Sequence, residues 1–372
     1  MSEPGVSIPA SPLESQRPLP APERPPARSR YWLHGLLLLA TCFTTLVVGA
    51  RLEFNFQHSV AQFSAGDGPL PFFPVRWALA HPSRLLDGIP FSAALLIILL
   101  SHEMGHYLLC RYYGVQATLP FFIPAPTLIG TLGAVIRIKA PIRSRRALFD
   151  IGIAGPIAGF VVAVATLAIA ILFSKPLGHN TPASELQLGY PPIFGFVQSV
   201  LRHIAPNRAV AVLPLQNVYL HPMAVAAWVG MYATALNLLP SGQLDGGHIV
   251  YALAPRAHRI ISWMTVIALV GLGAWAYFSR QPNYSWWVWA GLITVMNVLT
   301  IRHKQAPDHP VLPGSRWGLA LVAAAMLLLT ITRSPFEMKD CPHGRQENCG
   351  RESPARPLLQ TGSVQPVRYN VV

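Results

Sequence analysis

Apolar residues in this chain come in long runs. Residues 31–50, 92–113, 149–173, 222–240, about 260–278, 286–301 and 317–332 are almost free of charge, and roughly 20 apolar residues at helical rise cross the hydrocarbon of a bilayer. The pattern predicts an all-α polytopic membrane protein with about six to seven transmembrane helices. Tyr31 and Trp32 stand at the edge of the first run, where aromatic side chains anchor a span at the interface. That run is read as an uncleaved anchor rather than a signal peptide, because it exceeds the usual apolar core of such a leader. Residues 117–141 are apolar too, but Pro, Gly and Thr interrupt them, which predicts a β-hairpin or re-entrant segment following the second helix. Such backbone is tolerated at membrane depth where protein covers it or water lies beside it.

The polar stretches divide the chain into parts. Residues 1–30 hold eight prolines and little to bury, a disordered tail by composition. Residues 31–91 comprise the first helix and an outside loop with an amphipathic piece around Trp77–Leu86, expected on the membrane surface. Residues 92–258 form the membrane core, 259–332 the C-terminal helices and 333–372 a polar tail. The stretch 174–221 reads as a Pro-rich loop.

Composition agrees with this class: 52% of residues are hydrophobic and 12% charged, against roughly 25% charged in soluble domains. The net charge of +13 does not point to nucleic acid, because Lys and Arg lie in the short segments between apolar runs. With the N-terminus cytoplasmic, the inside segments hold 15 Lys and Arg and the outside loops 7. This favours N-in and C-out. Cys341 and Cys349, in CPHGRQENC of the outside tail, could close a small disulfide.

Candidate chemistry sits in the second run. His102, Glu103 and His106 interrupt it, and ionisable groups inside a span are costly unless they have a partner or a task. Two histidines four apart share a helix face and can grip one cation, with the adjacent Glu as general base. An extended soluble H-E-x-x-H-x-x-G-x-x-H site would need Gly and His where Leu109 and Tyr112 stand. The best third ligand is Asp245, where Pro240, Ser241 and Gly242 break an apolar helix just before Leu244-Asp245-Gly246-Gly247; the bland alternative is a loop Asp capping the next helix. His248 is a weaker alternative ligand. In the N-in orientation both motifs reach similar depth in the cytoplasmic half. Two imidazoles and a carboxylate leave a fourth position on tetrahedral zinc for water, whose pKa falls toward about 7. In the third run, Gly152, Gly155 and Gly159 with Ala154 and Ala158 make a small-residue face for close helix packing. Asp150, at its mouth, reads as a cap or an interfacial charge.

HEMGH at 102–106, NLLPSGQLDGGH at 237–248 and the Gly-rich segments between them resemble the site-2 proteases, a family of intramembrane zinc metalloproteases. The resemblance covers residues 92 to about 253. It implies that His102, His106 and Asp245 hold one Zn2+ per chain, that Glu103 is the general acid/base, and that Asn237 helps position substrate or an oxyanion. It further implies a membrane-anchored protein substrate such as an anti-sigma or transcription factor. The 48 residues of 174–221 are too few for the PDZ domain that many members insert there. The expected function is therefore an intramembrane zinc endopeptidase in a bacterial inner membrane, its site toward the cytoplasm. The alternative is a metal transporter or metal sensor using the same ligands without hydrolysis; apart from Glu103 and Asp245, the spans offer few acids to pass a cation along.

Overall fold

The computed structural model describes residues 31–63, 73–142, 144–178, 186–279, 284–299, 315–332 and 334–338. The expected N-terminal tail, most of the C-terminal tail and the Cys341–Cys349 segment lie outside them. In chain order the elements are α1 (Tyr31–His58), α2 (Val75–Ala80), a 3-10 helix (Pro82–Gly88), α3 (Ile89–Tyr112), β1 (Phe121–Pro124), β2 (Thr131–Val135), α4 (Arg145–Phe173), β3 (Lys175–Pro176), β4 (Leu186–Leu188), α5 (Pro192–Ile204), α6 (Ala209–Val212), β5 (Val218–Tyr219), α7 (Pro222–Asn237), α8 (Asp245–Leu253), α9 (Pro255–Phe278), α10 (Ser285–Leu299), α11 (Ser315–Thr330) and β6 (Phe336–Met338).

The protein is mostly helical. Four helical stretches are long and apolar enough to cross a membrane: Tyr31–His58, Pro82–Tyr112, Arg145–Phe173 and Pro255–Phe278. The helices at the fourth, sixth and seventh expected spans are shorter, with 16 residues in α7, 15 in α10 and 16 in α11. Large apolar side chains such as Leu39, Ile97, Val161, Ile267, Val288 and Leu321 point outward from these helices. Water would penalise that surface; lipid would not.

The core is built where α3 and α4 cross. A Cβ on Gly105 would lie 2.5 Å from the Ala154 carbonyl oxygen, so the two backbones touch at a spacing only glycine permits. Around this crossing Leu95, Ile98, Leu167, Phe194, Trp228 and Met231 form the main buried cluster. A second cluster joins α4, α8 and α11 through Phe149, Ile249 and Met326. The third joins the segment just after α7 to α9 and α10 through Leu239, Leu269 and Ile293.

Residues 117–141 form the expected hairpin. β1 and β2 pair antiparallel, with Phe121 opposite Val135 and Phe122 opposite Ala134. Its base meets the start of α1, where His34 stacks on Phe121 and bonds the Pro120 carbonyl. Its turn meets the middle of α1, where the Thr44 hydroxyl donates to the Gly130 carbonyl at 2.6 Å. Gly130 has φ of +84°, and a Cβ there would lie 2.7 Å from the Thr44 carbonyl oxygen, so both conformation and space require glycine.

Two sequence readings need revision. The stretch 174–221 is not simply a loop: it contains α5, which buries Ile193, Phe194, Val197 and Leu201 along one face. The first helix does not stop at Ala50 but runs two turns further, to His58, because Arg51–His58 holds no helix breaker and charge does not end a helix that has left the hydrocarbon.

Candidate metal centre

His102, Glu103 and His106 lie on the inner face of α3, all buried despite their polarity. Asp245 arrives from the break that follows α7. That helix ends at Asn237, Gly242 adopts φ of +54°, and α8 begins at Asp245 itself. The N-cap residue is Leu244, and no side chain caps the helix, so capping does not explain the carboxylate. Gly246 and Gly247 let the first turn of α8 press on the break: Cβ atoms there would lie 2.1 Å from the Leu238 carbonyl oxygen and 2.4 Å from that of Gly242. The break is also braced from outside. The Ser262 hydroxyl accepts from the Gly242 N–H at 3.2 Å, and Ser241 and Asn297 bond one another. Ser262 and Asn297 carry no motif that would reveal this role in advance.

Three donor atoms converge. His102 Nε2 and His106 Nε2 are 3.2 Å apart, and Asp245 Oδ2 is 3.3 Å from each. Donors held at about 2.0–2.1 Å by a tetrahedral zinc ion stand about 3.3 Å from one another, so the triangle has the size of one face of that tetrahedron. Asp245 Oδ2 is buried and receives no hydrogen bond. His106 Nδ1 donates to the Ile151 carbonyl at 2.7 Å, which leaves the Nε2 lone pair of the neutral ring facing the triangle. Among the described residues this is the one group of three such donors, and His248 is not part of it. The donor set therefore fits zinc.

α4 sets how closely the imidazoles can lie. A Cβ on Gly155 would fall 2.1 Å from His106 Nε2, and one on Gly159 would fall 3.0 Å from His102 Cβ. The small-residue face read from the sequence thus packs on α3 at the histidines themselves. Asp150, four residues before Ala154 on that helix, is not catalytic in position: it makes a two-pronged ion pair with Arg316 of α11 at 2.7 and 2.9 Å and accepts from the Tyr113 hydroxyl.

The centre opens into a cavity of about 440 Å³. Glu103 and Asn237 line it, as do Leu132 and Ile136 of the hairpin side and Trp289 and Met296 of α10. Asn237 Nδ2 stands 3.3 Å from His102 Nε2. All five residues singled out from the sequence meet around one space.

The family model described as Peptidase family M50 matches residues 90–274, which include both motifs. Residues 90–274 are a peptidase family M50 domain. The resemblance to the site-2 proteases is thereby borne out. The chain is 32% identical over 248 residues to the "Probable zinc metalloprotease EGY1, chloroplastic" of Oryza sativa subsp. japonica, an alignment covering 66% of this chain and 41% of that protein. It is 28% identical over 253 residues to the protein of the same name in Arabidopsis thaliana, covering 66% and 43%. With "Probable zinc metalloprotease EGY2, chloroplastic" of Arabidopsis thaliana it shares 30% identity over 192 residues, covering 51% and 33%. The chain spans less than half the length of these relatives.

Proposed function

We propose that this chain is an intramembrane zinc endopeptidase that hydrolyses peptide bonds of membrane-spanning substrates. The observation that carries this reading is the donor triangle of His102, His106 and Asp245, with Glu103 beside it, in a cavity walled by apolar helices. His102, His106 and Asp245 would hold the zinc, which would supply Lewis acidity and lower the pKa of water. Glu103 accepts the proton of the attacking water and returns it to the departing amide nitrogen, a role served by its place next to a ligand on the same helix turn. Asn237 offers its amide N–H groups to the carbonyl oxygen as negative charge develops on it.

The membrane setting is part of the proposal. Seven crossings are counted if α7 and α8 together make one broken span. The pairing of β4 with β6 supports an odd number of crossings from α4 onward, because it sets the C-terminal strand on the face where α4 ends. The hairpin is re-entrant: its base lies near His34 and its turn ten residues deeper along α1, near Thr44. The distribution of Lys and Arg supports a cytoplasmic N-terminus and a site in the cytoplasmic half of the membrane. The substrate class is a membrane-anchored regulator such as an anti-sigma or transcription factor, as the family resemblance implies. Zinc content together with cleavage of a helical membrane substrate by wild type and Glu103→Gln tests the reading.

A further inference from the structure

α1 is longer than a bilayer is thick. Its 28 residues span about 42 Å against a hydrocarbon core of about 30 Å, so its last two turns, Arg51–His58, stand at the membrane surface where α2 and the 3-10 helix lead into α3. Aromatic and cationic side chains are stacked there. The Arg51 guanidinium lies 5.2 Å from the Trp77 ring and 5.6 Å from Phe54, and that of Arg84 lies 5.2 Å from Phe54. His81 stacks on Trp77 and His58 on Phe54, each donating from Nδ1 to a backbone carbonyl.

The cations in this stack are under-used. Among the described residues Arg51 makes no hydrogen bond or ion pair, only its two ring contacts. Among the described residues the one ion pair of Arg84 is to Asp87 at 3.9 Å between two partly exposed side chains, a geometry of little energetic weight. Glu53, the other acid nearby, is turned away toward Gln57 and His221. On the same short helices and at the start of α3, Leu79, Leu86 and Ile89 are 76%, 69% and 50% exposed. Cations held on ring faces beside unpartnered apolar side chains, at the depth of the headgroups, match a phosphate with acyl chains attached.

We propose that Arg51 and Arg84, seated on Phe54 and Trp77, bind the headgroup phosphate of an anionic phospholipid whose chains lie against Leu79, Leu86 and Ile89. A protein partner would be less well served, because the two flanking helices α1 and α3 enter the bilayer on either side of the patch. The site is firmly mounted: a Cβ on Gly88 would lie 2.2 Å from the Leu46 carbonyl oxygen, so the 3-10 helix sits directly on α1. A bound lipid therefore braces the corner from which α3 carries His102 and His106 inward.

Native mass spectrometry of the full chain in detergent, titrated with phosphatidylglycerol or with phosphatidylcholine of the same acyl chains, tests this. Wild type is expected to prefer the first phosphatidylglycerol by about fivefold per arginine engaged. R51Q/R84Q abolishes the preference, R51K/R84K keeps part of it, and R259Q, at the start of α9, leaves it unchanged. R84Q alone changes a partly exposed side chain and keeps the test sound if the double variant does not fold. No preference in wild type, or an undiminished preference in both R51Q/R84Q and R84Q, overturns the proposal.

Discussion

Gly155→Ala adds one methyl group and should cost the protein its metal. The new Cβ would stand 2.1 Å from His106 Nε2, 2.4 Å from Cδ2 and 2.5 Å from Cε1, whereas non-bonded heavy atoms settle at about 3.5 Å or more. The ring must therefore retreat by roughly 1.4 Å or α3 and α4 must part by a similar distance. Retreat is resisted, because His106 Nδ1 is bonded to the Ile151 carbonyl, one turn earlier on the helix that carries Gly155. Metal sites tolerate donor shifts of about 0.2 Å. Loss of a mere supporting bond costs roughly 10–100-fold in metal affinity, so displacing a ligand should cost at least about 100-fold. Helix propensity works the other way, since Ala is better than Gly by about 1 kcal/mol in a helix interior. The assay is zinc content of purified protein by mass spectrometry of the metal, with affinity from chelator competition. Gly159→Ala, 3.0 Å from His102 Cβ, should be milder, and Gly271→Ala, with nothing within 4 Å, neutral. If Gly155→Ala holds one zinc per chain with wild-type affinity, the packing argument for the site is wrong.

Other perturbations follow from the same geometry. Asn237→Ala should keep zinc and lose about 10²–10³ in kcat with little change in KM, as removal of an oxyanion donor does; an equal loss of zinc would make Asn237 a support for His102 instead. Arg316→Ala leaves Asp150 without its two-pronged partner and should lower unfolding free energy by about 3 kcal/mol, while Arg316→Met with Asp150→Leu should cost much less; additive losses in that pair would contradict the reading. His221, outside the spans, accepts the Met223 N–H at Nδ1, and burial pushes it down to about 4 from an ordinary 6.5. Below pH 6.5 the unfolded chain gains a proton that the folded chain refuses. Stability should thus fall from about pH 6.5 toward pH 4, by at most about 1.4 kcal/mol per unit. Thermal unfolding between about pH 7 and pH 5 should lose part of its slope in His221→Asn; an unaltered slope, or stability that rises on acidification, would show His221 protonated against Glu53.

What the sequence revealed was what contrasts with its surroundings. His102, Glu103 and His106 stand out because an apolar helix has no other use for them, and Asp245 because Pro240 and the glycines interrupt an apolar run. The hairpin was legible from its punctuation, and close packing on α4 from its small residues, though not which helix would pack there. That Gly155 and Gly159 face the two imidazoles was not legible, since it depends on the rotation of one helix against another. The same holds for the Ile151 carbonyl, for Ser262 and Asn297 behind the break, and for Arg316, which lies 166 residues from Asp150. α5 could have been found: Ile193, Phe194, Val197 and Leu201 recur at helical spacing, a signal that the prolines around them obscured.

The most direct test is cleavage of a helical membrane protein in liposomes by zinc-loaded wild type and zinc-loaded Glu103→Gln, with the cut bond located by mass spectrometry. Wild type should cut within the apolar span of its substrate, and Glu103→Gln, carrying the same zinc, should be slower by about 10²–10⁴-fold. Equal rates in the two proteins, or cuts confined to water-exposed segments, would contradict an intramembrane peptidase that works through Glu103.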